Sequence, residues 1–590
     1  MLRVIVTSIV LFFISQSVAC GKICISTKKL GFLFYNFLAI FCIYSFLNIF
    51  LWNYQINFLI VISIFFLLSL TMYYVHEFRG TNINFSDILS INTAKEVASG
   101  YKYRVKPIFI FVSVIIIFEY IIHIAYFKID IFENYFKGIN GVNGNNILVF
   151  RLLLHEITQI ILFFVSFFLL KDKISSTKYN YSLFAGENEG YIYNFISSIP
   201  IFSKADSEDD NSAIEDFINY IKYRGDDEEN TENAQNNDII DLESEDYPVV
   251  DMEDYPHVIV IMNESFGFAQ DYVSTSIEVT PYYNSLGGVT KGNLYVNTFG
   301  GGTANTEFEF LTCMTIGNYE YPIMPYNNFV KSDKYSLARL FDNLGYKTIA
   351  MHPYTATNYH RDVVYKRFGF DELLFFDDFE NKEYVRSFVS DKSMYDEVIR
   401  RYEMVKNSNE KMFLFGITIQ NHSGYSDFDG KSISTNIKAD DKESIDSYLS
   451  LMKISDDAIK TLIDYFKNES ERVVILFFGD HNANFGTEIN KLVYENKCEY
   501  ECTNAYRTPF FIYDNMSNES NYIESISANF LSIELLKKAN LPMDAMHLLA
   551  NKVYKEYSTY NYHKMLSKKD NKLYDIKNDL YMKLEKGYLK

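Results

Sequence analysis

The sequence predicts an α-helical transmembrane bundle followed by an α/β domain with a mostly parallel sheet, and three observations carry that expectation. Apolar residues are concentrated before about residue 171, in runs of bilayer-spanning length. From about residue 255 the pattern changes to short apolar runs alternating with helical periodicities, as in a sheet joined by crossover helices. Two of those runs, Val258–Met262 and Val473–Phe478, break abruptly into Asn263-Glu264-Ser265 and Gly479-Asp480-His481. Continuous apolar strands are buried on both faces. Ligands in open α/β sheets bind beyond the carboxyl ends of the strands. Glu264, Asp480 and His481 are therefore expected to converge at one sheet edge as an oxygen-and-nitrogen metal site.

In chain order, residues 1–171 hold about five candidate spans: Val4–Cys20, Gly31–Trp52, Ile56–Val75, Pro107–Phe127 and Leu148–Leu170. The first is short and follows Arg3, so a cleaved signal peptide competes with it. Ser17-Val18-Ala19-Cys20 faintly suggests a lipoprotein cleavage site but lacks the usual leucine; an uncleaved span is the reading taken. Glu119 and His123 lie four apart on one face of the fourth span, and Arg151, His155 and Glu156 lie in the fifth. Such residues mark a partner or a path; pairing across the helices is preferred here to headgroup handling.

Residues 172–254 read as an acidic linker with helical segments. The chain carries a net charge of −20, much of it between Ser203 and Asp254, which leaves that stretch solvated. No basic, aromatic-interleaved patch exists, which excludes a nucleic-acid partner.

Residues 255–548 form the expected α/β domain. Its strand candidates are Val258–Met262, Gly292–Thr298, Lys347–Met351, Met412–Ile419, Val473–Phe478 and Pro509–Tyr513, with helical patterns over Ser336–Leu344, Asp391–Lys406 and Lys442–Asn468. Residues 549–590 are Lys- and Tyr-rich and read as a surface tail able to touch anionic headgroups. Cys498 and Cys502 flank only three residues, so a local disulfide is favoured over a metal site, with free thiols as a further alternative.

Between the two strand ends lies Phe299-Gly300-Gly301-Gly302-Thr303-Ala304-Asn305-Thr306-Glu307-Phe308. A glycine turn before a helical start exposes N–H groups to a phosphate-type anion. Thr303 then has two readings. It caps the helix, or it is a nucleophile whose hydroxyl a metal activates. Beside the acidic strand ends the second reading prevails. Glu307 falls early in the helix, where the dipole favours it.

Asn263-Glu264-Ser265, Gly302-Thr303 with Glu307-Phe308, Asn421-His422 and Gly479-Asp480-His481 occur in the order seen in lipoteichoic acid synthases, which the chain resembles. These belong to the alkaline phosphatase and sulfatase superfamily. His352, Tyr359-His360-Arg361-Asp362 and Tyr365-Lys366-Arg367-Phe368-Gly369-Phe370 extend the match. The resemblance covers the α/β domain and reaches the membrane part, since that family carries five spans before an extracellular enzyme. It implies that Glu264, Thr303, Asp480 and His481 hold one divalent cation, Mn²⁺ first, with Mg²⁺ or Zn²⁺ open. It implies Thr303 as nucleophile on a phospholipid headgroup, through a phospho-threonine ester. It places His352, Tyr359, Arg361 and His422 at the phosphate and headgroup, Tyr359 standing where the family often has tryptophan.

The expected function is a membrane-bound phosphotransferase moving glycerol phosphate from phosphatidylglycerol to a cell-envelope polymer or glycolipid. Phosphoethanolamine transfer onto a surface glycan or lipid is the alternative, and a sulfatase or phosphodiesterase-type hydrolase comes after it. A degenerate scaffold fits poorly with the intact Glu264, Thr303, Asp480, His481 set. No Cys/Ser-x-Pro-x-Arg sequence lies near Thr303, and no second Asp/His cluster is evident, which argues against sulfatase and two-metal chemistry. A multi-pass cell-membrane protein with its catalytic domain outside is expected. That topology leaves Arg79, Lys95, Lys102, Arg104 and Lys106 in an outer loop, against the positive-inside tendency.

Overall fold

The computed structural model describes residues 2–23, 30–50, 54–79, 82–89, 103–118, 120–121, 145–176, 189–199, 255–318, 323–425, 428–439, 442–495, 503–561, 564–568 and 573–575. They fall into two compact units, one within Met1–Leu89 and Lys102–Asp206, the other within Ser207–Tyr319 and Ile323–Lys590.

The first unit is helical. Its long helices are Leu2–Cys20, Leu30–Phe50, Tyr54–Arg79 and Asn145–Ser176, with the short Tyr191–Ser197 packed among them. Leu38, Tyr44, Val61, Phe65 and Ile192 are among the side chains of its core. Asn36, buried inside it, donates to Gln16 Oε1 at 3.3 Å and accepts from the Tyr193 amide at 3.0 Å.

Among the described residues two helices are long and apolar enough to cross a membrane, over Phe32–Ile49 and Phe58–Arg79. This corrects the expectation of five spans. Among the described residues Ile5–Cys20 and Pro107–Phe118 are shorter apolar helices. The Asn145–Ser176 helix runs into Lys171, Asp172 and Lys173. Glu119, His123, the side chains of Arg151, His155 and Glu156, the acidic segment 201–254, and Cys498 with Cys502 lie outside the described residues.

Before residue 528 the described residues of the second unit hold ten strands, β1 His257–Asn263, β2 Val289–Tyr295, β3 Lys347–Met351, β4 Glu372–Leu374, β5 Tyr384–Val385, β6 Phe388–Val389, β7 Met412–Ile417, β8 Val473–Gly479, β9 Arg507–Asp514 and β10 Asn521–Ser527. Eight of them form one sheet in the order β10-β2-β9-β8-β1-β7-β3-β4, and β5 pairs with β6 as a small separate hairpin. β1 pairs in parallel with both β7 and β8, and only β9 runs antiparallel to its neighbours. Every residue of β1, β7 and β8 is buried. Alternate side chains point to opposite faces, so a strand buried throughout must be covered on both.

The strand candidates fall close to the observed elements, with β2 starting three residues earlier than expected and β7 ending two earlier. β4 and β10 had no counterpart in the sequence reading. β10 reads Asn-Tyr-Ile-Glu-Ser-Ile-Ser and is exposed over its first half, so it lacks the continuous apolar run of a central strand. The helix Ala545–Glu556 runs across residue 548, and an antiparallel three-stranded sheet follows it over Tyr557–Asn561, Lys564–Ser567 and Leu573–Asp575.

Register positions the chemistry. Asn263 of β1 lies opposite Gly479 of β8, so Glu264 and Asp480 leave the sheet side by side. Met262 lies opposite Ile417, and Met351 opposite Gly416, which delivers Thr418 and His352 to the same edge.

Candidate active site

Glu264 and Asp480 are both buried, and the segments around them hold each carboxylate in place. Ser265, in the left-handed conformation at φ 54°, donates its amide to Asp480 Oδ1 at 2.7 Å and its hydroxyl to Glu264 Oε1 at 2.8 Å. The His481 amide donates to the same Asp480 oxygen at 2.8 Å. The Glu264 amide donates to Thr418 Oγ1 at 3.0 Å. A non-glycine residue at positive φ is uncommon, and here it lets one residue clamp two acids.

His481 is oriented from behind. Its Nδ1 lies 3.1 Å from the Asn482 carbonyl, an acceptor that places the ring proton on Nδ1 and leaves Nε2 with its lone pair. That Nε2 lies 3.1 Å from Asp480 Oδ2 and 3.6 Å from Glu264 Oε1. Nε2 and Oδ2 are both buried without a hydrogen-bond partner. Two such atoms facing each other are costly unless a cation lies between them. Burial, and then the Glu264 charge, push the Asp480 carboxyl well above the usual carboxylate range. Burial pulls the His481 imidazole down.

Thr303 is the first residue of the Thr303–Thr312 helix, is 7% exposed, and has its Oγ1 3.4 Å from Glu264 Oε2. It does not cap the helix. Gly302 occupies the cap position at φ 84°, ψ 34°, and no side-chain cap bond is made. A Cβ at Gly302 would sit 2.7 Å from Thr298 Oγ1, so both conformation and space exclude a side chain there. Thr306 Oγ1 donates to the Asp480 carbonyl at 2.8 Å and ties this helix to the end of β8.

Glu264, Asp480 and His481 each offer one ligand atom, all within 4.8 Å of one another. With the Thr303 hydroxyl beside them, two carboxylates, one imidazole and one hydroxyl suit a single hard or borderline divalent cation. The orphaned Oδ2 and Nε2 fit that ion.

His352 follows β3, is buried, and has Nδ1 3.1 Å from the Ile417 carbonyl. Burial and then the Arg361 charge hold it well below the usual imidazole range. His422 is half-buried beyond β7 and feels the charges of Glu264, Arg386 and His481. Tyr359 and His360 are both left-handed, at φ 54° and 56°, and the Arg361 guanidinium lies 5.1 Å from the Tyr359 ring. Arg361 does not present an open fork. It is 1% exposed, with Nε 3.2 Å from both Glu307 oxygens, Nη2 on Oε1, and Nη1 3.4 Å from Asn358 Oδ1. A guanidinium this buried requires a counter-charge, and Glu307 supplies it while accepting from Tyr326 and Tyr365.

A buried polar network behind the acids escaped the sequence reading. Asn263 donates to Asp391 Oδ2 at 2.9 Å, Asn421 donates to Ser455 at 2.9 Å and lies 3.4 Å from Asn263 Oδ1, and Ser455 donates to Asp391 at 2.5 Å. Asn263 and Asn421 were visible as motif neighbours of Glu264 and His422. Asp391 and Ser455, on separate helices, carried no local signal, and neither did the positive φ of Ser265.

The match to known proteins agrees with this geometry: residues 256–542 match the sulfatase family model. They are a sulfatase-family domain. It is homologous to lipoteichoic acid synthases, including lipoteichoic acid synthase 1 of Bacillus subtilis, 26% identical over 275 residues, 43% of this chain and 41% of that protein. A putative cyclic β-1,2-glucan modification protein of Rhizobium meliloti is 29% identical over 326 residues, 53% of this chain and 50% of that protein. The chain thus spans half or less of the length of these curated relatives. The integral membrane lipooligosaccharide phosphoethanolamine transferase A of Neisseria meningitidis shares the fold with a TM-score of 0.50 at 13% identity, over 92% of this chain and 97% of that one.

Within the sulfatase-family domain, Gly479 meets a tight backbone constraint. A Cβ there would lie 1.8 Å from the Phe266 carbonyl oxygen, and backbone cannot yield as a side chain can. Gly479→Ala is expected to cost about 1–3 kcal/mol, as overpacking does, and to displace Asp480. Urea denaturation together with Mn²⁺ titration checks this; an unchanged midpoint and affinity would refute the close approach.

Proposed function

We propose that this chain is a membrane-anchored phosphotransferase, with its catalytic domain outside the membrane, that takes glycerol phosphate from phosphatidylglycerol and gives it to a cell-envelope glycolipid or polymer. The observation that supports it best is Thr303, at a helix N-terminus and within 3.4 Å of Glu264 in a cluster of buried acids and one imidazole. The same chain carries two helices long and apolar enough to cross a membrane, the place where a phospholipid donor is found.

In this reading Glu264, Asp480, His481 and Thr303 hold one divalent cation, taken as Mn²⁺. That ion would supply Lewis-acid activation of the hydroxyl and charge neutralisation at phosphorus. Thr303 Oγ1 bonds to phosphorus as its proton passes to Glu264 Oε2, the acceptor 3.4 Å away, and the bond from phosphorus to the diacylglycerol oxygen breaks. His422 gives a proton to that departing oxygen. An acceptor hydroxyl then bonds to phosphorus and gives its proton to His422, while the bond to Thr303 breaks and Oγ1 takes back the proton held at Glu264. His352 contacts the phosphate oxygens and Tyr359 the headgroup, while Arg361, engaged by Glu307 and Asn358, fixes the segment that carries Tyr359. The helix start at Thr303 adds backbone N–H groups.

The names of the relatives speak for an envelope acceptor, since they act in lipoteichoic acid synthesis and glucan modification. Mass spectrometry of the full chain after incubation with phosphatidylglycerol, phosphatidylethanolamine and Mn²⁺ is the test. A glycerol phosphate adduct on Thr303 is expected. A phosphoethanolamine adduct there would replace the donor, and an unmodified Thr303 with product formed would overturn the mechanism.

A further inference from the structure

We propose that Arg386, at the turn of the β5–β6 hairpin, is the positioning residue for His422; the proposal rests on the transfer reading above. His422 lies in the stretch 418–425 beyond β7, outside helix and sheet ladders, where backbone carbonyls need donors from elsewhere. One guanidinium supplies three. Arg386 Nη2 donates to the Gln420 carbonyl at 3.0 Å and the His422 carbonyl at 2.7 Å, and Nη1 donates to the Gly424 carbonyl at 3.1 Å.

The aromatic surroundings complete the clamp. The guanidinium carbon lies 5.2 Å from the Phe388 ring and 5.6 Å from the Tyr425 ring. Phe388 in turn places its ring 5.4 Å from the His422 ring, and Tyr425 donates to the Asn421 carbonyl at 3.0 Å. His422 is thus held by Arg386 through its backbone and by Phe388 against its ring.

The hairpin that carries both groups is itself fixed. Two-residue strands have no independent stability, but Ser390 donates its amide to Glu383 at 2.8 Å and the Glu383 amide donates to Ser393 Oγ at 2.7 Å. Those serines open the Asp391–Asn407 helix, and the Asp391 amide donates to Gln420 Oε1 at 3.1 Å. Arg386 reaches its place in the left-handed conformation, at φ 57°, a geometry that a residue with a Cβ adopts only when its surroundings enforce it. Lysine cannot replace the fork, since its ammonium is a single point and not a plane of five directed donors.

The test compares Arg386→Ala, Arg386→Lys, His422→Ala, the double variant Arg386→Ala/His422→Ala, and Thr303→Ala. Full-length protein in detergent with Mn²⁺ turns over a fluorescent phosphatidylglycerol, and hydrogen exchange is followed over 418–425. Arg386→Ala is expected to lower kcat about as much as His422→Ala, on the order of a hundredfold, with KM changed less than about threefold. The double variant should be no slower than His422→Ala alone, because Arg386 acts through that histidine. Exchange over 418–425 should quicken by at least about tenfold while the β1 and β8 amides keep their protection. Arg386→Lys should stay nearer to alanine than to wild type. Wild-type kcat in Arg386→Ala with Thr303→Ala inactive would overturn the proposal, as would additive losses in the double variant. Full turnover by Thr303→Ala would instead overturn the transfer reading, and unchanged exchange in Arg386→Ala would then reject the clamp on its own.

Discussion

Asp480→Asn is expected to raise the stability of the metal-free protein and to abolish its stabilisation by Mn²⁺. The two signs come from one arrangement. Asp480 is fully buried, its Oδ1 accepts two backbone N–H groups, and its Oδ2 faces His481 Nε2 without a hydrogen bond. An asparagine carbonyl can keep the Oδ1 bonds, and its amide can donate to Nε2. Relief of an unsatisfied buried polar group is worth about 1–3 kcal/mol, and that is the expected gain without metal.

The pH dependence has the matching sign. Burial and Glu264 raise the folded-state pKa of Asp480 above its ordinary value. The folded state then holds a proton that the unfolded state has lost, so apo stability is greatest below the ordinary carboxylate pKa and falls as pH rises through the raised one. Asp480→Asn should flatten that fall. In wild type, Mn²⁺ at about a hundred times its dissociation constant should add roughly 2.7 kcal/mol, and the variant should show none of it. Thermal melts from pH 4 to 8, with and without Mn²⁺, read both effects. A variant less stable than wild type without metal would sink the account of Asp480 as a strained, metal-seeking acid.

The sheet edge was legible because it is a one-dimensional signal. An apolar run that stops at a charged residue marks both the burial of a strand and the place where it ends, and the Asn263–Gly479 register makes two such stops coincide. Thr303 was legible for a related reason: three glycines before a helical start admit the positive φ values, 66°, 150° and 84°, that this turn uses. What stayed hidden depends on folding back from a distance. Arg361 carries a guanidinium suited to phosphate, yet its partner lies 54 positions away on the Thr303–Thr312 helix. Asp391 and Ser455 are 64 apart, and nothing local distinguishes them from solvent-facing helical residues. Among the described residues the apolar runs over Phe32–Ile49 and Phe58–Arg79 combine the length and the apolar content that a bilayer requires in one helix.

Glu307→Ala should be the most destabilising single change in the domain, by about 3–5 kcal/mol, the cost of leaving a buried charge without its partner. Arg361 is 1% exposed and donates through Nε and Nη2 to Glu307. Tyr326 and Tyr365 are buried as well, and both hydroxyls donate to Glu307 Oε2. Alanine therefore strands three donors at once. Glu307→Gln keeps an acceptor for the tyrosines but not the counter-charge, so it should fall between alanine and wild type. The decisive comparison is Glu307→Ala/Arg361→Met, which removes charge and partner together. If the loss comes from an uncompensated cation, the double variant is more stable than Glu307→Ala alone in urea denaturation. If instead it comes from a cavity, removing Arg361 as well makes it worse. Glu307 is also one helical turn from Thr303, so the same pair joins the helix that carries the hydroxyl to the segment that carries Tyr359 and His360. Metal affinity should survive in the double variant, because neither residue touches Glu264, Asp480 or His481, while the rate of Thr303 modification should not.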